Sequence, residues 1–285
     1  MNLSVNSVQP NLSAIERWNR DARERRKRSI AEGDFWAKKA RAFSKRVDDR
    51  WEGGEDELHR LIRFLMSGTP KARVLDLGAG TGQWSLFFAS LGAAVTALEP
   101  SPGMRVLLNE NLAKSPALAE RIEVVEGRFP ETRFTEKYDI VFCAHAMYEW
   151  DDFSAAVDAL CEASRGWVVL ATRVPYLDDF YVLLRSAFHA DFDATGMDLR
   201  LLQSALIEKG HTPKVYFERR ETRHVRRFDS LDDAAAVIGA RLEIDPEYVR
   251  GSILRSGFYD ESTGTVQIPM RGTTGILTFP VSVSR

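Results

Sequence analysis

Cysteine is nearly absent: Cys143 and Cys161 are the only two in 285 residues. Two isolated cysteines build no disulfide framework in a chain this long, so a reducing compartment is expected. Long apolar runs are missing as well. None approaches the roughly 18 residues needed to span a bilayer. The first residues, MNLSVNSVQPNLSAIERW, lack the basic-then-apolar order of a secretory signal. The expectation is a cytoplasmic protein with no targeting segment and no membrane partner. There is no excess of one charge either: 39 Lys and Arg against 41 Asp and Glu leave a formal net charge of −2. That balance gives no global pull toward nucleic acid or an anionic surface. Internal repeats and low-complexity tracts are absent. The histidines His59, His189, His211 and His224 have no metal-ligand spacing, and no metal is expected.

What is present is an ordinary globular composition, 44% hydrophobic and 28% charged, with enough chain to bury a sizeable core. Residues 1–54 are polar and charged, with Trp18, Phe35, Trp36, Phe43 and Trp51 spaced along them. From Glu55 to Thr172 helical and strand patterns alternate. DELHRLIRFLM puts Leu58, Leu61, Ile62 and Leu65 on one helical face. ARVLDLG, AAVTALE, RIEVVEG, YDIVFCAH and GWVVLAT read as five strands. Their near-continuous apolar runs indicate burial on both faces. GQWSLFFASLG reads as a helix closed by Gly92, and SPGMRVLLNENLAK as one capped by Ser101 with Pro102 in its first turn. Strand–helix alternation predicts an α/β fold with a parallel sheet and right-handed crossovers. Beyond Pro175 two helical patterns are followed by KVYFERRETRHVRRF, read as one strand. Two more helices follow, and then GTVQIPM and GILTFPVS, read as a closing antiparallel pair on that sheet.

The informative stretch is VLDLGAGTGQW, which sets Gly78, Gly80 and Gly82 directly after a buried strand. A loop there lies at the carboxyl edge of the sheet, where open α/β folds bind ligands. Glycine permits positive φ and lets a ligand approach without meeting a Cβ. A tight turn alone is the alternative. The dinucleotide fingerprint fails because Gln83 stands at its third glycine, and the phosphate loop fails because Gln83 and Trp84 follow Gly82. The second strand ends in Glu99, about 20 residues on, where a carboxylate can accept bonds from both hydroxyls of a ribose. A surface glutamate at a strand end is the alternative.

Taken in order, VLDLGAGTG, VTALEPS, IEVVEGRF and YDIVFCAHAMYEW resemble the motif set of the class I S-adenosylmethionine-dependent methyltransferases. The resemblance runs from about Val74 to Thr172. It implies a Rossmann-like, seven-stranded, mostly parallel sheet with an antiparallel last strand, GILTFPVS, beside the fifth. It also implies the cofactor S-adenosyl-L-methionine. Asp76 would steady the loop and face the methionine amino group, Gly78 and Gly80 would line the methionine part, and Ala79 and Gly82 would belong to the same cofactor-binding loop. Glu99 would hold the ribose, Pro100 and Ser101 would flank the adenine, and Met104 would pack on its ring. Cys143, at the end of the fourth strand, would close the set as an inert buried thiol. Arg128 stands where relatives carry an acid that accepts from the adenine amino group, and Arg128 cannot accept. Adenine would then be read by the Phe129 N–H alone, or Glu126 would compensate.

The resemblance places CAHAMYEWDDF against the transferred methyl group. Candidate catalytic groups are His145, Tyr148 and Glu149. Each has a plain alternative: a strand-end cap, a packed tyrosine, and an acid at a helix start. The expected arrangement is an N-terminal helical cap or lid over 1–54 and a methyltransferase domain over 55–285, with a helical insertion after the fifth strand at about 175–210. The acceptor is expected to be a small molecule under a roof of Phe35, Trp36, Tyr176, Phe180 and Tyr181, with Arg173 nearby. The protein is expected as a monomer or homodimer. From Glu16 to Ser29 there are seven Arg or Lys against three acids, so an RNA methyltransferase with a basic arm is one alternative. A non-catalytic nucleoside-binding protein is another.

Overall fold

The computed structural model describes residues 12–32, 40–41, 55–174, 197–218, 222–242 and 244–281. A seven-stranded sheet organises the chain. Five strands run parallel: β1 (Arg73–Leu77), β2 (Ala94–Glu99), β3 (Ile122–Glu126), β4 (Tyr138–Ala144) and β5 (Ser164–Arg173). The full order is β3-β2-β1-β4-β5-β10-β6, with β6 at Lys214–Phe217 and β10 at Thr274–Pro280. Strand β10 is antiparallel to both neighbours and lies beside β5, as the motif order implied. The order reverses between β1 and β4, which opens a crevice at their carboxyl ends.

Alternate side chains face two separate cores, as the period-2 geometry of a strand requires. Leu75, Val141, Cys143, Val168, Leu170 and Leu277 face one core. Val74, Ile140, Phe142, Val169 and Ile276 face the other. The first core is covered by α1 (Ala14–Glu32), α6 (Phe153–Ala163) and α7 (Leu199–Glu208). The second is covered by α2 (Glu57–Ser67), α3 (Gln83–Ser90) and α4 (Pro102–Ala113). A single turn of helix, α5 (Pro116–Ala119), precedes β3.

The helices start where the sequence supplies caps. Asp56 caps α2 by accepting from the N–H of Leu58 and His59, and the His59 ring reaches back to the Asp56 N–H. His59 is buried against Trp84 and Phe87, which makes it a structural residue. Ser101 Oγ accepts from the Met104 N–H, and Pro102 sits in the first turn of α4. Asp152 caps α6 and Asp198 caps α7.

The C-terminal part departs from expectation. KVYFERRETRHVRRF is two strands, β6 and β7 (Thr222–Phe228), in two different sheets. GTVQIPM is not part of a closing pair on the main sheet. It lies in β9 (Thr265–Gly272), which pairs antiparallel with β7 and with β8 (Tyr259–Asp260) in a separate three-stranded sheet. The registers explain how. In the main sheet Phe217 faces Gly275, and in the small sheet Thr222 faces Gly272. Both chains of one antiparallel ribbon leave the main sheet at the same level. Thr273 marks the crossing: its Oγ1 donates to the Glu218 carbonyl (2.8 Å), and its own carbonyl accepts from the Val174 N–H (2.9 Å). Helices α8 (Leu231–Leu242) and α9 (Pro246–Arg255) complete this unit. It has its own core of Phe228, Ala234, Ile238, Val249, Ile253, Val266 and Ile268.

Helix α1 is fastened through one large side chain. Trp18 is fully buried, packs at a tilt on Phe153 with ring centres 5.1 Å apart and donates Nε1–H to the Trp150 carbonyl (3.2 Å). Asn19 Oδ1 accepts from the Phe153 N–H (2.8 Å), and Arg26 pairs with Asp151 (3.0 Å) and Glu131 (2.7 Å). The start of the helix is tied by Glu208, which accepts from the Ala14 N–H (2.8 Å). Of the expected insertion at about 175–210, residues 175–196 lie outside the described residues. The remainder holds α7, packed on the first core.

Candidate functional site

A cavity of about 510 Å³ opens at the carboxyl ends of β1, β2 and β4, where the strand order reverses. That is within the range of small-ligand and cofactor pockets. The glycine loop forms one wall. Gly78, Gly80 and Gly82 have φ of 70°, 59° and 85°, a region that side-chain-bearing residues enter at a cost. A Cβ on Gly78 would collide with that of Ala146, on the turn after β4. The loop is tied to β2 because Gly78 and Ala79 N–H both donate to the Leu98 carbonyl (2.8 and 3.1 Å). Gly78 and Gly80 line the cavity. Ala79 and Gly82 do not: Ala79 packs on the second core, and Gly82 sits over Leu108 at the start of α3.

Glu99 ends β2 buried, yet on the cavity wall. Its Oε2 accepts from the Gly80 N–H and its Oε1 from the Ser101 N–H, both at 2.8 Å. The carboxylate is thereby fixed against the glycine loop. Pro100, Ser101 and Met104 continue the wall, and Arg128 and Phe129 face them. Glu126 points elsewhere, to an ion pair with Arg105 (2.9 Å).

Asp76 lies under the loop and not on the cavity wall. It is buried and accepts from Ser85 Oγ (2.6 Å). Burial pushes its carboxyl up to about 7; the Ser85 hydrogen bond works against that shift and the nearby Glu99 charge adds to it. Cys143 reaches the cavity from β4, and burial pushes its thiol far above the ordinary range. It is therefore a neutral wall group rather than a thiolate nucleophile.

The turn after β4 supplies the far end. His145 has φ of 56°, and its backbone N–H donates to the Ala171 carbonyl (2.8 Å). Its ring bridges two hydroxyls, with Nδ1 3.3 Å from Tyr148 Oη and Nε2 3.3 Å from Thr274 Oγ1. Tyr148 Oη also meets Thr172 Oγ1 (3.2 Å) and accepts from the Arg173 N–H (3.4 Å). Glu149 turns the other way and pairs with Arg128 across the cavity. Helix α1 adds Arg25, Ser29 and Ile30 to the lining.

The sequence reading did not single out those three residues, nor the Arg128–Glu149 pair. The partners of that pair stand on different strand ends and no local spacing announces them. The roof residues Phe35, Trp36, Tyr176, Phe180 and Tyr181 lie outside the described residues. Among the described residues, no cluster of three or more His, Cys, Asp or Glu side chains could hold a metal ion. No helix there is long and apolar enough to cross a membrane.

Fold and site together define a nucleotide-type α/β pocket at a switch point, walled by glycine backbone and one anchored carboxylate. Residues 74–165 match the family model described as a methyltransferase domain, and the strand order is that of the Rossmann-like class I architecture. The chain is 30% identical over 107 residues to an uncharacterized methyltransferase of Staphylococcus carnosus, covering 35% of this chain and 48% of that one. It is 28% identical over 110 residues to the mitochondrial ubiquinone biosynthesis O-methyltransferase of Schizosaccharomyces pombe, covering 34% and 39%. The match thus spans about half or less of these curated relatives' length. Among solved structures, a SAM-dependent methyltransferase from Geobacter sulfurreducens in complex with S-adenosyl-L-homocysteine aligns with a TM-score of 0.46 at 14% identity. That alignment covers 78% of this chain and 90% of that one.

Proposed function

We propose that this protein is an S-adenosylmethionine-dependent methyltransferase that acts on a small-molecule acceptor by direct methyl transfer. The observation that carries the proposal is the convergence of Gly78, Gly80 and the anchored Glu99 carboxylate on one cavity. These groups fit a nucleoside. Glycine at both positions leaves that stretch of wall without Cβ atoms, and a carboxylate accepts well from ribose hydroxyls. Met104 and Phe129 offer apolar surface for a base, and the Phe129 N–H is the backbone donor for its edge. Arg128, paired with Glu149, shapes that end instead of accepting from adenine.

When bound, the cofactor supplies a methyl group activated on a sulfonium. The chain's own task is then to hold an acceptor in line and close. His145 and Tyr148 are the groups placed for that, at the end of the cavity away from Glu99. Their linked ring nitrogen and hydroxyl can accept or pass on a proton from an acceptor that carries one. Glu149 acts by holding Arg128. Helix α1, within a cap over 1–54, closes the side of the cavity over the 55–285 domain, and its lining residues support a small acceptor over an RNA surface. Calorimetric titration with S-adenosylmethionine and S-adenosylhomocysteine tests the reading. Saturable heat with both is expected; no heat from folded protein at millimolar ligand overturns it.

A further inference from the structure

Three adjacent strand ends meet at the Tyr148 side of the cavity. Strand β4 leads into the turn that carries His145 and Tyr148, β5 ends in Thr172 and Arg173, and β10 begins at Thr274, which pairs with Arg173 across the sheet. Their polar groups form one chain. Thr172 Oγ1 lies 3.2 Å from Tyr148 Oη, Tyr148 Oη 3.3 Å from His145 Nδ1, and His145 Nε2 3.3 Å from Thr274 Oγ1. His145 and Tyr148 line the cavity, whereas Thr274 is buried behind them and does not. The left-handed backbone of His145 is held by its N–H, which donates to the Ala171 carbonyl. A side-chain-bearing residue stays at such a φ where its surroundings fix it, and such residues cluster at functional sites.

We infer that Thr274 is a positioning residue: it accepts the His145 Nε2–H and so leaves Nδ1 to accept the Tyr148 O–H, which makes Nδ1 the atom that receives a proton lost by the methyl acceptor. The inference rests on the methyltransferase reading and adds a residue to that site. A neutral imidazole carries one N–H, so one ring nitrogen donates and the other accepts. Of the two hydroxyls beside the ring, a phenol is the more acidic and the better donor, and an aliphatic hydroxyl is the better acceptor. Tyr148 Oη also accepts from the Arg173 N–H (3.4 Å), which leaves its own proton to give. When the methyl acceptor bonds to the methyl carbon and the electron pair of the broken bond stays on sulfur, the proton of the methyl acceptor goes to Tyr148 Oη and the Tyr148 proton goes to Nδ1. The positive charge lost at sulfur then reappears on the imidazole, and the net charge of the site is unchanged. Thr274 touches neither reacting group and acts through the ring that it orients, as the third member of a nucleophile–base pair does.

The test uses full-length protein with isotope-labelled histidine, saturated with S-adenosylhomocysteine at about pH 8.5, above the ordinary imidazole range. Ring-nitrogen magnetic resonance reports which nitrogen carries the proton, and the signals lost in His145→Asn are those of His145. The Nε2–H form should outweigh the Nδ1–H form about 10-fold, the combined worth of two neutral hydrogen bonds. Thr274→Val keeps the shape and removes the hydroxyl; it should lower that ratio about 5-fold and leave S-adenosylhomocysteine affinity within a few-fold. Thr274→Ser keeps the hydroxyl and removes the methyl group; it should restore the ratio. A residue that only packs would show the reverse order, with valine the quieter change. Tyr148→Phe, which takes the donor from Nδ1, should lower the ratio as well. A wild-type ring protonated mainly on Nδ1 overturns the inference whatever the variants do, and it decides alone if a variant does not fold. A ratio that Thr274→Val leaves unchanged in folded protein also overturns it. Failure of the folded protein to bind S-adenosylhomocysteine overturns the methyltransferase reading and this inference with it. Binding of S-adenosylhomocysteine with the proton on Nδ1 overturns this inference alone.

Discussion

The two ends of the cavity are built from different material. At the Glu99 end the wall is mostly main chain: a glycine loop, two N–H groups and one carboxylate that they hold. At the Tyr148 end it is side chains drawn from α1 and the turn after β4. The first end is set by the loop after β1 and the end of β2, with the turn after β3 facing them. The second depends on a helix far away in sequence that must dock before Arg25 is in place. A common reagent can be gripped by backbone, whereas selectivity for one acceptor is carried by side chains that can change without disturbing the sheet.

The largest expected effect separates the two ends directly. Trp18→Ala removes a fully buried indole, a change that costs about 3–5 kcal/mol in a packed core. Helix α1 should undock, seen as lost amide-exchange protection over 14–32, while the affinity for S-adenosylhomocysteine stays within a few-fold. If that affinity collapses, the ends are not separable.

Asp76 tests the floor of the backbone end. Its carboxyl ionises near 3.8 when unfolded but near 7 in the folded protein. Between those values folding takes up a proton, so stability falls as pH rises from about 4 to about 7. The loss amounts to up to about 4 kcal/mol, at about 1.4 kcal/mol per pH unit. Asp76→Asn should flatten that slope in melts across the same pH range. An unchanged slope assigns it to other groups.

Gly80→Val should abolish measurable cofactor-product binding, a loss of at least about 100-fold, since a branched side chain meets both the positive φ and the ligand's volume. Circular dichroism would show whether the fold persists. Glu99→Ala should weaken binding about 10- to 100-fold, the worth of charge-assisted hydrogen bonds; wild-type affinity would sink the ribose assignment. The smallest effect belongs to Glu149→Gln. Half-exposed ion pairs contribute about 0–1 kcal/mol, so binding should change less than about fivefold. A hundredfold drop in turnover with binding intact would instead make Glu149 the base.

The same contrast accounts for what could be read from sequence. The glycine spacing, Glu99 and the Ser101 cap are local patterns, and the structure brings Gly78, Gly80, Glu99, Ser101 and Met104 together as a wall. Asp76, Ala79 and Gly82 belong to the same motif but support the loop from beneath or beside it. The apolar strand runs gave the parallel sheet and its antiparallel neighbour of β5. They could not show that β6 and β7 part into different sheets, because an unbroken alternating run carries no mark of a ribbon leaving a sheet. Nor could they show Arg25 beside Tyr148, since that contact depends on how α1 docks and not on any spacing.

The most direct test of the central claim is a crystal structure with S-adenosylhomocysteine bound. The account predicts ribose hydroxyls within hydrogen-bonding distance of Glu99, adenine between Met104 and Phe129, and the sulfur opening toward His145, Tyr148 and Arg25 in a closed pocket. A ribose remote from Glu99, or a sulfur facing a broad, open basic groove, would contradict it.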